Sequence, residues 1–142
     1  MRLDVVMLAD HAAACDGKLY VNGGGITSFQ VPTVPFALPG LGVVLRFRTY
    51  PEDMGEHQFQ IEFINPDGLQ VLPPDPVRVL IESPGDGLDA EESFSQLVLA
   101  FAGLPILTTG MHTFRISWDD ELLREFCIPV RLDADPGSQS PS

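Results

Sequence analysis

The sequence has 142 residues, a length typical of one domain with a hydrophobic core of its own. It contains 20 acidic and 8 basic residues, and the formal net charge of −12 argues against a nucleic-acid partner and against an anionic membrane surface, since both attract clustered cations. The 13 glycines and 13 prolines predict frequent turns and disfavour long helices.

The N-terminal segment is predicted to begin with a nearly continuous apolar strand over residues 3–9. Asp10 is placed to cap a single helical turn over the alanines that follow, and Gly17 would end that turn. Asn22-Gly23 is a strong signal for a two-residue hairpin turn, with a bulge at the neighbouring glycines as the alternative. This hairpin would join strands over residues 18–21 and 26–31.

Apolar and polar residues alternate with a period of two through much of the remaining chain. The clearest apolar series are Phe59, Ile61 and Phe63, and Phe114, Ile116 and Trp118. Because a strand turns successive side chains to opposite faces, one face of each segment is expected in a core. The pattern predicts strands over residues 41–50, 56–64, 77–82, 94–101, 104–107, 111–118 and 123–132.

These strands predict an all-β fold: a single antiparallel β-sandwich of about seven to nine strands with an Ig-like or jelly-roll topology. Residues 1–132 would form the sandwich, and residues 133–142, which are polar and rich in proline, glycine and serine, are predicted to be a disordered tail. The predicted core comprises Phe47, Phe59, Ile61, Phe63, Val79, Ile81, Leu97, Leu99, Phe114, Ile116 and Trp118.

Two proline-containing segments are predicted to lie at sheet edges, because proline cannot donate to a strand ladder. Residues 31–40 contain three prolines and would form a blunted edge. Pro129 interrupts the final strand, which carries Phe126, Ile128 and Val130 on one face. This strand, or the apolar face beside it, is predicted to join a second copy in a C₂ homodimer.

Features that report on cellular location point to the cytoplasm. The apolar run over residues 5–9 is shorter than a signal-peptide core and far shorter than a membrane span. Cys15 and Cys127 are too few for a disulfide framework and form no CxxC motif, so both are expected to be reduced thiols.

The acidic loop over residues 83–92 is the best candidate for metal binding. Its ligands would be Asp86, Asp89, Glu91 and Glu92, because calcium prefers hard oxygen donors from loops. The loop lacks EF-hand spacing, however, and carboxylates are abundant throughout the chain. A solvated loop is the simpler interpretation, and no metal site is assigned.

Other candidate chemistry has simpler structural explanations. Asp10, His11, Cys15 and Asp16 offer too few nitrogen and sulfur ligands for zinc. The triple glycine at residues 23–25 precedes a predicted strand, whereas a phosphate loop precedes a helix. The acidic residues 119–121 are consecutive in a hairpin and cannot flank a glycosidic bond.

The sequence contains no motif for nucleophilic catalysis. There is no G-x-S-x-G elbow, and His11, His57 and His112 lack a marked nucleophile. His57 is expected to cap or pack at a strand start. His112 shares a face with Phe114 and is expected to be partly buried against a backbone carbonyl. We therefore expect no enzyme activity and no cofactor.

Several short motifs resemble an uncharacterised family of small bacterial proteins that carry a domain of unknown function. They are Leu8-Ala9-Asp10-His11-Ala12, Gly17-Lys18-Leu19, Gly55-Glu56-His57, Pro66-Asp67-Gly68 and Gly110-x-x-x-Phe114-x-Ile116. The resemblance spans about residues 3–130 and departs from the family at Ala9, where cysteine is common, and at Asp120, where glycine is common. It implies a β-sandwich and no catalytic residue.

We therefore expect a non-catalytic intracellular module for protein interaction or assembly, acting on an unknown protein partner or by self-association. The alternative is a calcium- or carbohydrate-binding sandwich that uses the loop over residues 83–92. An uncharacterised enzyme is the third possibility. The leading expectation rests on the absence of a catalytic motif and on the binding roles that sandwich folds commonly host.

Overall fold

A computed structural model describes residues 1–72, 76–81 and 93–133, and within them the chain forms eleven β-strands. The strands are β1 Arg2–Cys15, β2 Lys18–Gly24, β3 Phe29–Val31, β4 Phe36–Leu38, β5 Leu41–Thr49, β6 Gly55–Ile64, β7 Val77–Ile81, β8 Ser93–Phe101, β9 Leu104–Ile106, β10 Gly110–Trp118 and β11 Glu121–Leu132. A 3₁₀ turn at Pro51–Asp53 precedes β6. The described residues include no helix long and apolar enough to cross a bilayer.

The strands build two main sheets. Sheet A has the order β2-β1-β5-β8, and sheet B has the order β3-β11-β10-β6-β7. Neighbouring strands are antiparallel, except that β3 runs parallel to β11. The predicted all-β sandwich is confirmed. The described strands outnumber the expected seven to nine because three-residue segments also pair, including β4 with β9 in a separate two-stranded sheet.

The core lies between sheets A and B and follows the predicted alternation. Eight of the eleven predicted core residues are buried, and Val79, Leu97 and Leu99 are partly buried against them. The rings of Phe47 and Phe59 lie 5.1 Å apart between centroids. Each aromatic ring removed from water contributes a large apolar area, so these rings account for much of the cohesion between the sheets.

The predicted helical turn after Asp10 is wrong. β1 continues through the alanines to Cys15, with Ala12 opposite Val21 in β2. One helical turn is marginal in isolation, whereas pairing with β2 satisfies the backbone along the whole segment. The conformation of this segment is therefore set by pairing with β2 and not by its local helix signal.

The hairpin turn is also displaced from its predicted place. It lies at Asp16 and Gly17, whose φ angles are 52° and 74°, while Asn22-Gly23 lies within β2. Two consecutive residues with positive φ form the hairpin turn that matches strand twist, and Asp-Gly suits it as well as Asn-Gly does. The predicted return strand over residues 26–31 is reduced to β3, which joins sheet B.

The final strand ends at the residue where the sequence predicted its end. β11 ends at Leu132, and the Asp133 N–H donates to the Val31 carbonyl at 2.8 Å. Residues 134–142, predicted to be disordered, lie outside the described residues.

Candidate functional site

The acidic loop chosen as the metal candidate lies outside the described residues, and with it Asp86, Asp89, Glu91 and Glu92. Among residues 1–72, 76–81 and 93–133, no group of three or more His, Cys, Asp or Glu side chains is arranged to hold a metal ion. Cys15, at the end of β1, and Cys127, in β11, are free and exposed thiols on different sheets.

His112 is buried beneath sheet B, as its position beside Phe114 predicted. Its side chain is 1% exposed, its ring stacks on Phe63 at 5.0 Å, and its Nδ1 lies 3.1 Å from the Gly110 carbonyl oxygen. No hydrogen bond from this ring to a serine, threonine or cysteine is found in the described part of the chain. This geometry fits a packed core histidine.

His57 belongs to a polar cluster at the end of the sandwich, where β6 begins and the β10–β11 hairpin turns. Its ring stacks on Trp118 at 4.2 Å between centroids. Nδ1 lies 2.5 Å from Asp119 Oδ2, and Nε2 lies 2.5 Å from the Asp53 carbonyl oxygen. The second Asp119 oxygen accepts the Gln58 N–H at 3.0 Å. The cluster joins two segments that are distant in sequence, residues 53–58 and residues 118–119.

Both ring nitrogens of His57 face acceptors, and this favours the doubly protonated imidazolium. Burial of the ring opposes protonation, but the bonds to Asp119 and Asp53 and the charges of their carboxylates raise its pKa above the usual 6.5. The hydrogen bonds from His57 and from the Gln58 N–H lower the pKa of the Asp119 carboxyl. Both nitrogens of this ring are therefore engaged by groups of the fold itself.

β8 is the most unusual surface element, because it is a sheet edge without charge. β5 pairs with one side of β8 along all nine residues from Ser93 to Phe101. No strand among the described residues pairs with its other side. The chain has no charged residue between Glu92 and Arg115, although its net charge is −12. Long uncharged edges are templates for pairing with another strand.

Side chains on β8 remain accessible. Phe94 is 47% exposed, Ala100 is exposed, and the core-facing Leu97 and Leu99 are only partly buried. In contrast, the other edge strands carry charge or are short: β2 contains Lys18, β7 contains Arg78, and β3 has three residues. The β8 edge is therefore the best candidate interaction surface in the described residues.

The final strand, predicted to lie at an edge, is partly covered. β3 pairs with Val130–Leu132 of β11, so the outer side of residues 121–129 has no described partner. This stretch carries Arg124 and Glu125, and an apolar crevice of about 320 Å³ lies beside it, between Phe126 and β1. The open part of β11 is thus as long as β8 but more polar.

The sequence over residues 4–131 matches the model of a protein family described as a family of unknown function, DUF6941. The chain belongs to the DUF6941 family. The resemblance to an uncharacterised family that the sequence motifs indicated is thereby confirmed. No curated protein matches this DUF6941 chain in sequence.

Among solved structures, the DUF6941 chain is similar to an immunoglobulin-like protein from Pseudomonas aeruginosa. The two are 16% identical, and the similarity covers 92% of this chain and 95% of that chain with a TM-score of 0.41.

Sequence reasoning missed both the β8 edge and the His57 cluster. A visible signal for the first was the absence of charge over residues 93–114, but the order of strands in the sheet could not be read from that pattern. The second had no local signal, because His57 and Asp119 are 62 residues apart.

Proposed function

We propose that this chain is a non-catalytic interaction module that assembles with a second copy of itself through β8. The observation that carries the proposal is a nine-residue uncharged edge strand in a chain of net charge −12. Edge strands normally carry charges, bulges or prolines that prevent association. β8 has no charged residue and no proline, and no described strand pairs with the backbone groups on its outer side.

Self-association supplies a partner whose edge is equally free of charge. Two copies of an acidic protein repel each other, and contact at an uncharged edge keeps this repulsion small. A cyclic pair is also the commonest symmetry among homo-oligomers. Antiparallel pairing of the two β8 strands would join the two A sheets into one continuous sheet, with four strands from each copy.

Symmetry restricts the register of this pairing. A two-fold axis perpendicular to the joined sheet places a given residue of both copies on the same face. Opposite residues of the two strands must therefore share a face, so the axis passes beside a residue and not between two residues. An axis at Leu97 pairs all nine residues and places Phe94 of one copy opposite Ala100 of the other. Pairs of aromatic and small apolar residues on one face stabilise such a contact, and this register contains no like-charge pair.

The non-catalytic part of the proposal is supported by the surroundings of His57 and His112. His57 is held between acceptors, and His112 stacks on Phe63 against a backbone carbonyl.

A cytoplasmic location remains a prediction from the sequence, which fractionation of the native cell would test.

Light scattering of the full chain over a dilution series tests self-association. We expect a dimer mass at micromolar concentration that falls to the mass of one chain on dilution. Ala100→Glu places a charge on the outer edge of β8 and should shift the transition to higher concentration by about tenfold or more, which corresponds to a loss of about 1.4 kcal/mol or more of pairing. Leu80→Glu is the matched control, because Leu80 is 63% exposed on the edge strand β7 of the other sheet.

Wild-type protein that remains a single chain at every concentration would contradict the proposal. Equal effects of Ala100→Glu and Leu80→Glu would also contradict it, because charge alone would then explain the result.

The register is tested by Phe94→Cys with Ala100→Cys in a background of Cys15→Ser and Cys127→Ser. Disulfide-linked dimers are expected from this variant, because opposite residues of antiparallel strands lie within disulfide reach.

A further inference from the structure

The far end of the β1–β2 hairpin, beyond the part of β1 that pairs with β5, folds back over the outer face of β5 and β8. Val44 points away from the core residues on either side of it in β5, yet it is fully buried. A Cβ on Gly42 would lie 3.4 Å from the backbone nitrogen of Ala12 in the hairpin. At the tip, the Gln96 side chain donates to the Gly17 carbonyl oxygen at 2.7 Å. The far end of the hairpin therefore covers β5, and a hydrogen bond joins its turn to β8.

A hollow of about 300 Å³ remains between the hairpin tip and the sheet. Residues 14–17 form one wall. Arg46, Phe94 and Gln96 form the other, with Arg46 directly opposite Gln96 in the β5–β8 pairing. The volume is at the lower end of the range for small-molecule sites.

The sheet side of the hollow holds a donor and an acceptor that have no hydrogen-bond partners among the described residues. Arg46 Nε is buried and unpaired, and so is Gln96 Oε1, whose amide nitrogen holds the hairpin tip. Polar groups buried without partners are costly, so a ligand that supplies both partners gains from satisfying them.

The charge of Arg46 is also uncompensated among the described residues. Arg48, two residues along the same strand, forms an ion pair with Asp4 at 2.8 Å. Arg46 forms no ion pair with a described carboxylate, and its guanidinium lies 4.6 Å from the centroid of the Phe94 ring. In a chain with 20 acidic residues, a partly buried arginine that pairs with none of the described carboxylates points to a place for an external anion.

We propose that this hollow binds a small organic carboxylate that carries a hydrogen-bond donor, such as a hydroxy acid. The carboxylate accepts from Arg46, and the donor bonds to Gln96 Oε1. The apolar part of the ligand packs against Phe94, which is 47% exposed. Asp16 at the rim disfavours a second negative charge on the ligand. Because the two unpaired atoms are shielded from water, the hairpin tip moves aside on binding.

The thiol of Cys15 lines the hollow and provides a direct readout. In the full-length chain, the rate at which maleimide modifies Cys15 is measured with mandelate present, and exposed Cys127 on the other sheet is the internal reference. We expect millimolar mandelate to slow modification of Cys15 and not of Cys127. Mandelamide, which retains the ring and the hydroxyl but lacks the carboxylate, should give no protection.

Arg46→Met retains much of the side-chain stem and removes the charge, so it should weaken protection by about tenfold or more. Arg131→Met on β11 is the matched control and should leave protection unchanged, as should the edge variant Ala100→Glu. Equal protection by mandelate and mandelamide, or no protection by mandelate, would overturn the proposal. Equal protection by inorganic phosphate would also overturn it, because the hollow would then be a general anion site.

Discussion

His57 shows how individual side chains join distant segments of this fold. Its ring lies on Trp118, and its two nitrogens reach Asp53 and Asp119. The side chain is 16% exposed, whereas that of Asp119 is 45% exposed, so solvent screens part of their attraction. The cluster is expected to make a modest contribution to stability that depends on pH.

The direction of this pH dependence follows from the raised pKa of His57. A pKa above the unfolded value of 6.5 means that the stabilisation is fully present below pH 6.5 and is lost as pH rises through the folded value. Asp119→Asn removes the charge that raises this pKa. It should lower the free energy of unfolding by about 0.5–1 kcal/mol near pH 6 and by less near pH 9.

Urea unfolding at several pH values measures this difference. Asp120→Asn is the matched control, because Asp119 and Asp120 share the same turn with φ angles of 46° and 69°. Asparagine tolerates this conformation, so both variants change the backbone preference in a similar way. A loss that is the same for both variants at every pH would show that the His57–Asp119 pair is energetically neutral.

At the scale of the element, the β1–β2 hairpin depends on its turn. Gly17 has φ of 74°, and a Cβ at this position would meet no atom within 4 Å. Gly17→Ala should therefore destabilise the protein by backbone strain and not by a clash, at a cost of roughly 1–2 kcal/mol.

Thermal unfolding of Gly17→Ala beside Gly40→Ala measures this cost. Gly40 is exposed, has no positive φ, and would place its Cβ 3.8 Å from the Asp10 carbonyl oxygen, an ordinary contact. The control should change stability by less than about 0.5 kcal/mol. Similar losses in the two variants would mean that the turn at Asp16-Gly17 is not formed as described.

The alternation of apolar and polar residues predicted strands correctly where it was present, but it gave no prediction for segments without it. Phe59, Ile61 and Phe63 lie on the buried face of β6, as the period of two required. The alanines after Asp10 had no such pattern, and their strand conformation comes from pairing with β2. A residue's preference for a strand is local, whereas the choice between helix and strand in a short neutral segment is made by its partner.

At the scale of the whole molecule, residues 134–142 are expected to be dispensable for folding. Their composition offers no apolar face to offset the entropy lost on ordering. The sequence placed the boundary at residue 133, but the Asp133 N–H donates to Val31, so a truncated chain should retain Asp133.

Calorimetry of the chain ending at Asp133 should give a melting temperature within a few degrees of the full-length value. A second truncation after Val130 is the comparison, because it removes two of the three residues of β11 that pair with β3 and should lower the melting temperature. A large decrease for the first truncation would mean that the tail packs against the sandwich.

The sequence by itself determined most of the strands, their buried faces, the acidic character and the family, because each follows from local pattern and composition. Only the tertiary structure decided that β8 lies at an edge of the described sheet and that the far end of the β1–β2 hairpin covers β5. It also decided that His57 contacts Asp119. These features depend on which strands become neighbours. That choice is made by the packing of whole faces and by backbone pairing between segments far apart in the chain, and no local pattern records it.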